Sequence, residues 1–280
     1  MFQKSYDGSP TVYLIPTPIG NLDDITLRAV NTLKMVEVIF SEDTRVTSLL
    51  LNHLNIKKKL ISSHEYNEKE NEEKFLKYLE DGNDVGIVTD RGTPIISDPG
   101  YDLVKVAIEK GYNVVGLPGP TALIPALITS GLNPSPFLFY GFLNSKQSKR
   151  NKELEELKKE KATIIFYESP HRLKETLEDI NKIFGNRKIS ISKEISKKYE
   201  EVVRGTITEV IDKFDNIKGE FVVVVEGNTD CVDYTNISVV EHVTAYIKEG
   251  NSVNDAIKLV AKDRNVAKKE IYNIYHNISK

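Results

Sequence analysis

Four short stretches hold the residues whose types and spacing could do chemistry. Pro16-Thr17-Pro18-Ile19-Gly20-Asn21, Glu42-Asp43-Thr44-Arg45, Thr89-Asp90-Arg91-Gly92-Thr93-Pro94 and Pro118-Gly119-Pro120-Thr121-Ala122 each follow a run of apolar, β-rich residues. In an open α/β sheet the strand ends feed one crevice, and ligands sit there. Proline-rich turns have little freedom to lose on binding, so their backbone N–H and C=O groups are presented already oriented. None of the four is a phosphate motif: the first strand is not followed by G-x-G-x-x-G, and there is no Walker lysine. Carbonyls with a carboxylate among them, Asp90 here, suit a cationic ligand instead. Any one of these loops alone reads as a tight turn; four at four strand ends read as a site.

The elements that must position them follow from the pattern. Short strands are predicted at Val12–Ile15, Glu37–Phe40, Lys59–Ile61, Asp84–Val88 and Asn113–Leu117, alternating with helix-period segments in which Leu27, Val30, Leu33 and Val36 step along one face. Continuous apolar strands alternating with helices predict a mostly parallel sheet covered by helices. Asp98-Pro99 reads as an N-cap with proline at the first helical position, Ser169-Pro170 repeats the device, and Gly111 and Gly131 read as helix stops. Asn133, Pro134 and Pro136 break any helix and mark a joint. A mixed α/β half follows, with strands at Thr163–Tyr167, Lys188–Lys193, Glu201–Val203 and Phe221–Glu226 and helices at Leu173–Ile183 and Thr208–Phe214. Three short helices, Val239–Lys248, Val253–Lys262 and Val266–Ile278, end the chain, separated at Asn251-Ser252 and at Asn265. Two of them joined by a short turn make either a helix-turn-helix or a packing appendage. The expected division is 1–132, 133–230 and 231–280: two α/β domains and a helical tail.

Composition excludes several classes. The chain has 280 residues, 40% apolar and 28% charged, with a formal net charge of -3, so no global basic field advertises nucleic acid. One cysteine, Cys231, excludes an intrachain disulfide framework and a cysteine-cluster metal site. His53, His64, His242 and His276 show no ligand spacing, and no metal is expected. The polar first ten residues lack the apolar core of a signal peptide, and no window of 18 apolar residues predicts a membrane span. A cytoplasmic protein is expected. Local positive charge is present: Lys146, Lys149, Arg150 and Lys152 are read as one basic loop, and Lys258, Lys262, Arg264, Lys268 and Lys269 fall on the tail.

The strings LIPTPIGNLDDIT, SEDTR, VTDRGTPIISDPGY, LPGPTALIPAL and IFYESPHR, in this order, resemble the ribosomal RNA small subunit methyltransferase I family of the tetrapyrrole methylase superfamily, from about Thr11 to Gly227. The resemblance implies a two-domain α/β fold with a small C-terminal helical bundle, a homodimer, and S-adenosyl-L-methionine bound between the domains. It implies 2′-O-methylation of a cytidine ribose in the decoding region of small-subunit (16S) ribosomal RNA, free or in the assembled subunit. Asp90, Thr93, Thr121 and Ala122 are the implied cofactor contacts, Gly92 lets the backbone come close, and Tyr167 and Glu168 cover the cofactor from the second domain. Arg91 departs from the family, which usually has alanine there. Its guanidinium can pair with Asp90, crowd the cofactor, or turn outward; the expectation is that it turns outward to an RNA phosphate.

For the methyl transfer itself, a ribose hydroxyl needs its proton removed, and Glu42, Asp43, Asp98, Glu168, His171, Lys193 and Glu194 are the groups that could take it. Glu168 and Lys193 rank first, on the second domain's loop and strand end beside the family's cleft. Lys146, Lys149, Arg150 and Lys152 are expected to meet RNA phosphate, positioning rather than specifying. Two alternatives stand beside this reading: a tetrapyrrole methyltransferase, and an inactive ribosome-binding protein whose pocket Arg91 blocks.

Overall fold

The computed structural model describes residues 3–5, 7–63, 68–213, 219–229, 237–264 and 266–276. His64, Phe214, Cys231, Asn265 and Ile278, on which parts of the sequence reading rest, lie outside the described residues. Contacts group the chain into two compact units, Met1–Asn228 and Thr229–Lys280.

In the first unit, β1 (Thr11–Leu14), β2 (Val38–Ser41), β3 (Lys59–Ser62), β4 (Val85–Val88) and β5 (Asn113–Gly116) form a sheet in the order β3-β2-β4-β1-β5. Every pair in it is parallel, as the apolar strand runs predict. Side chains alternate between two cores. Tyr13, Ile15, Ile39 and Val88 pack with Ala29 and Leu33 of α1 (Leu27–Met35) and Leu51 of α2 (Thr44–His53). Val12, Val38, Phe40, Val85 and Ile87 pack on the other face with Phe75 and Leu79 of α3 (Glu68–Glu80) and Leu103 and Ala107 of α4 (Tyr101–Glu109). Burying both faces in this way fixes the register, because a one-residue slip would exchange the two cores. It also holds the ends of β1, β2, β4 and β5 together at one rim.

A second sheet has the order β6-β7-β10-β8-β9, from β6 (Phe137–Phe142), β7 (Thr163–Glu168), β8 (Lys188–Lys193), β9 (Glu201–Thr206) and β10 (Phe221–Val225). Only β6–β7 is parallel. The edge strand β6 was not expected from the sequence; its aromatics point largely to partly exposed positions and it is bulged between Phe139 and Gly141. One face of this sheet packs under α6 (Gln147–Leu157), α7 (Leu173–Phe184) and α8 (Ile207–Ile211), through Leu154, Leu173, Leu177, Ile207 and Val210. The other face is covered by α5 (Leu123–Thr129), whose Ala126 and Leu127 pack on Ile165, Val222 and Val224. In sequence α5 belongs to the first half; in space it is a lid of the second sheet, and the two halves form one compact unit.

Two helix starts differ from the sequence reading. The N-cap of α4 is Gly100, with φ +113, and that of α7 is Arg172. Asp98 and Ser169 therefore lie ahead of their helices, and their side chains are released for other contacts. Gly111 and Gly131, with φ +88 and +76, do follow the ends of α4 and α5 as stops.

The second unit contains α9 (Val239–Lys248), α10 (Val253–Asp263) and α11 (Lys268–Tyr275) around Val243, Ala256, Ile257, Val260 and Ile271. Ser238 caps α9 in a capping box with Glu241, and Ser252 caps α10. A polar staple closes it: Tyr246 Oη donates to Asp263 Oδ2 at 2.6 Å, and His242 Nε2 lies 3.4 Å from the same oxygen.

Candidate active site

The four loops at the rim of the parallel sheet are laced to one another. Thr17 and Gly92 exchange two backbone hydrogen bonds of 2.9 Å, and Thr17 Oγ1 donates to the Thr89 carbonyl at 3.1 Å. Thr93 Oγ1 donates to the Pro120 carbonyl at 3.1 Å, and the Asp43 N–H donates to Asp90 Oδ1 at 3.1 Å. Gly119 closes the circuit: a Cβ there would lie 2.7 Å from Pro16 Cβ, so only glycine permits this approach. Ile95 and Ser97 hold φ of +76 and +66, an uncommon state for any non-glycine residue and a strained one for β-branched Ile95. Such a framework has little left to reorganise when a ligand arrives.

Against this rim stands the end of the second sheet. Between the two lies a cavity of about 340 Å³. The first half contributes Ile19, Arg91–Thr93, Ile96–Asp98, Thr121 and Ala122; the second contributes Phe142, Tyr167–Pro170, Ile195 and residues 219–222. Of the residues expected to contact a cofactor, Gly92, Thr93, Thr121, Ala122 and Tyr167 line this cavity together. Tyr167 is held by T-shaped contacts to Phe139 and Phe142, at 4.9 and 5.6 Å, and bonded to the Thr121 side chain. Burial raises its phenol above the ordinary value.

Asp90 is not among the lining residues; its carboxylate turns to the Asp43 N–H. The carboxylate that this loop puts in the wall is Asp98, which the sequence reading took for a helix cap. Burial, and then the negative charge of Glu42, push Asp98 up to about 6, against a lowering contact from Thr89. The Thr89 hydroxyl donates to Glu42 Oε2 at 2.8 Å, and one hydroxyl proton cannot serve both carboxylates. Asp90 is raised too, first by burial. The cavity thus meets a half-buried carboxylate whose negative charge is poorly satisfied by the protein itself, the condition that favours a cationic partner.

The expected bases fare differently. Glu168 contributes to the lining, but its side chain is 1% exposed and saturated with donors: Ser169 N–H at 2.7 Å, Arg172 Nη2 at 2.8 Å and Nε at 3.0 Å, and Thr176 Oγ1 at 2.6 Å. It anchors the Ser169–Arg172 turn. Lys193 lies outside the lining, 3.8 Å from Glu201 across the β8–β9 pair.

Arg91 does not point outward alone. It ion-pairs with Glu220 of the second half, and Glu220 also receives Lys197 Nζ at 3.0 Å, which in turn meets Glu194 at 2.9 Å. Ser196 hydrogen-bonds Asp24 beside them. A charged belt joins the two halves along one lip of the cavity, and no sequence signal announced it, because its members are 129 residues apart for Arg91 and Glu220.

The basic segment is a helix rather than a loop. Lys146 is the N-cap of α6 and, with Lys149 and Lys152, is exposed. Arg150 is not: its side chain is 1% exposed, with Nε 2.8 Å from Asp179 and Nη2 3.4 Å from Glu175. At every third position Lys146, Lys149 and Lys152 share a face, and Arg150 turns inward, which corrects its expected place on RNA.

Fold and cleft define a methylase of the tetrapyrrole type. A family model described as Tetrapyrrole (Corrin/Porphyrin) Methylases matches residues 11–211, and the fold resembles the uroporphyrin-III-C-methyltransferase of Thermus thermophilus, with a TM-score of 0.56 and 18% identity over 77% of this chain and 94% of that one. Within that class, the chain belongs to the ribosomal RNA small subunit methyltransferase I family. It is 48% identical to the protein of that name from Bacillus subtilis over 285 residues, 98% of each chain. It is 48% identical to that from Halalkalibacterium halodurans over 284 residues, again 98% of each. The Thermotoga maritima protein is 46% identical over 216 residues, 76% of this chain and 97% of that one.

Proposed function

We propose that this protein methylates the ribose 2′-hydroxyl of a cytidine in small-subunit ribosomal RNA, using S-adenosyl-L-methionine held in the cavity between the two sheets. The observation that carries the reading is Asp98, a carboxylate with a raised pKa in an otherwise largely apolar wall of preset loops. The donor is a sulfonium with an ammonium on its amino-acid arm, and it supplies an electrophilic methyl group. Asp98 takes the cation; Thr121, Ala122 and Tyr167 flank it. The names of relatives matched along nearly the whole chain support ribosomal RNA as the acceptor. A volume of about 340 Å³ lies within the range of small-molecule sites.

The chain's share of the chemistry is orientation. As the C–O bond forms and the C–S bond breaks, the reacting oxygen must lie in line with carbon and sulfur, and fixed loops on both sides supply that alignment. Glu168 is better read as the post that fixes the Tyr167–Arg172 turn than as a base, since its oxygens already accept from Ser169, Arg172 and Thr176. Lys193, paired with Glu201, is likewise no longer the leading choice. Lys146, Lys149 and Lys152 offer RNA phosphates an exposed cationic face.

A cytoplasmic homodimer completes the reading. Among the described residues no helix is long and apolar enough to cross a membrane. The test is transfer of labelled methyl from S-adenosylmethionine to purified small subunits, followed by nucleoside analysis. Label in 2′-O-methylcytidine is expected. Label on a tetrapyrrole and none on RNA, or no transfer at all, would overturn it.

A further inference from the structure

None of the described residues of the helical unit Thr229–Lys280 lines the cavity, and the family match ends at residue 211. The Thermotoga maritima relative, matched along 97% of its own length, corresponds to only 76% of this chain, so it is shorter by a stretch at least as long as this unit. The unit lies beyond the family match and has a core and caps of its own.

Its last helix is two-faced. Ile271 is buried in the core and Tyr275 packs beside it. At 100° per residue, Lys268, Tyr272, His276, Lys269 and Asn273 then fall in one stripe about 140° wide that starts beside Tyr275 and runs round the helix away from Ile271. Lys268, Lys269, Tyr272 and His276 are exposed, and the rings of Tyr272 and His276 lie 4.4 Å apart. The stripe holds no carboxylate; Glu270, the one acid of this helix, falls outside it. Two lysines in the first turn do not serve the helix, whose dipole favours acids there. Arg264, in the turn before α11, is committed to the fold, donating to the Ile237 carbonyl and to His242 Nδ1, and so sets the helix in place. Cations interleaved with exposed rings and an amide, free of acids, make a face for phosphate contact and base stacking.

We propose that the Lys268–Lys269–Tyr272–His276 face of α11 is an RNA-docking surface that helps hold the small-subunit ribosomal RNA for methylation in the cavity of the other unit. The proposal rests on the rRNA reading above and adds to it a second contact surface. Its lysines grip phosphate, and Tyr272 with His276 offers a stacking platform to an unpaired base.

The test uses the full chain carrying K268E, K269E and Y272A, titrated against protein-free small-subunit rRNA over a salt series and against assembled subunits. Binding of rRNA is expected to weaken at least tenfold, with the salt slope smaller by about 1.4 to 1.8 for two lost phosphate contacts. K268R with K269R should retain binding. Cofactor affinity and melting temperature should not fall, since glutamates suit the start of a helix. Equal rRNA affinity and slope in wild type and triple variant would refute the surface. Weakened binding to assembled subunits with unchanged binding to bare rRNA would refute it too, and assign the face to a ribosomal protein. If the wild-type chain binds rRNA through this face yet methylates no ribose, the surface stands and the rRNA-methylation reading falls; if the wild type binds neither bare rRNA nor assembled subunits, both fall.

Discussion

Replacing Asp98 by asparagine is expected to make the protein more stable and its grip on the cofactor weaker. The carboxyl sits at about 6 rather than 3.8, because burial first, and Glu42 second, oppose its ionised form. A pKa raised on folding means that the native state holds the proton more tightly than the unfolded chain does. Ionisation therefore works against the fold, increasingly as pH rises from 3.8 through 6. By linkage this cost is small near pH 4, grows through pH 5 to 6 and levels off above pH 7 at about 1–2 kcal/mol, the full shift being discounted because the half-buried carboxyl is partly screened by solvent. Asparagine keeps the shape and removes the charge, so melts of the two proteins should diverge with pH, by roughly 2–6 °C at pH 7.5 and little at pH 4. Calorimetric titration with S-adenosylmethionine should show the opposite order, with a loss of tenfold or more, about 1.4 kcal/mol per factor of ten. Wild-type affinity should also rise with pH through about 6, as the carboxyl ionises. A variant that melts lower than wild type at pH 7.5, or that binds the cofactor equally well, would show that Asp98 is not held for a cation.

Three further outcomes follow from the same geometry. Arg91→Glu sets two carboxylates face to face at the cavity lip and should loosen cofactor binding severalfold, whereas Arg91→Glu with Glu220→Arg should recover it; because both side chains are more than half exposed, the coupling in such a cycle should be about 0.5–1 kcal/mol. Arg150→Met should destabilise the fold by about 3–5 kcal/mol in denaturant titration, because it strands Asp179 in the core, and a variant of unchanged stability would return Arg150 to the RNA face. Lys146→Ala with Lys149→Ala and Lys152→Ala should weaken rRNA binding and flatten its salt dependence at constant cofactor affinity; an unchanged slope would leave these lysines as solvated surface.

What the sequence made legible was what is written locally. The five strands of the parallel sheet, the four loops at its rim, the glycine stops and the first two C-terminal helices all follow from period, turn chemistry and caps, and the structure has them within a residue or two; the last helix, expected at Val266–Ile278, runs from Lys268 to Tyr275. Of the five lining residues, Gly92, Thr93, Thr121 and Ala122 sit on loops whose motifs are contiguous, and Tyr167 near the end of β7 in another such motif. What escaped depended on direction. Asp90 and Asp98 belong to the same stiff loop, and only the left-handed turns at Ile95, Ser97 and Gly100 decide which of them faces the cavity. Arg150 is one cation among several in its segment; Asp179 of α7, 2.8 Å away in space and 29 residues away in sequence, turns it inward. The belt from Arg91 to Glu220 needs the tertiary fold to exist at all. The strand β6 was hidden because an edge strand with a bulge lacks the alternation of a buried one.

The position of α5 bears on how such a protein could have been assembled. Ala126 and Leu127 arise before the joint at residues 132–136 yet complete the core of the sheet that comes after it. A gene fragment ending at that joint would encode a first half with a bare apolar helix and leave the second half with an uncovered sheet. Neither piece is a transferable cassette. Insertions, fusions and swaps in this lineage are therefore expected outside the two-sheet body, where the helical unit beyond Asn228 is joined, and substitutions in α5 must be compatible with two partners inherited together.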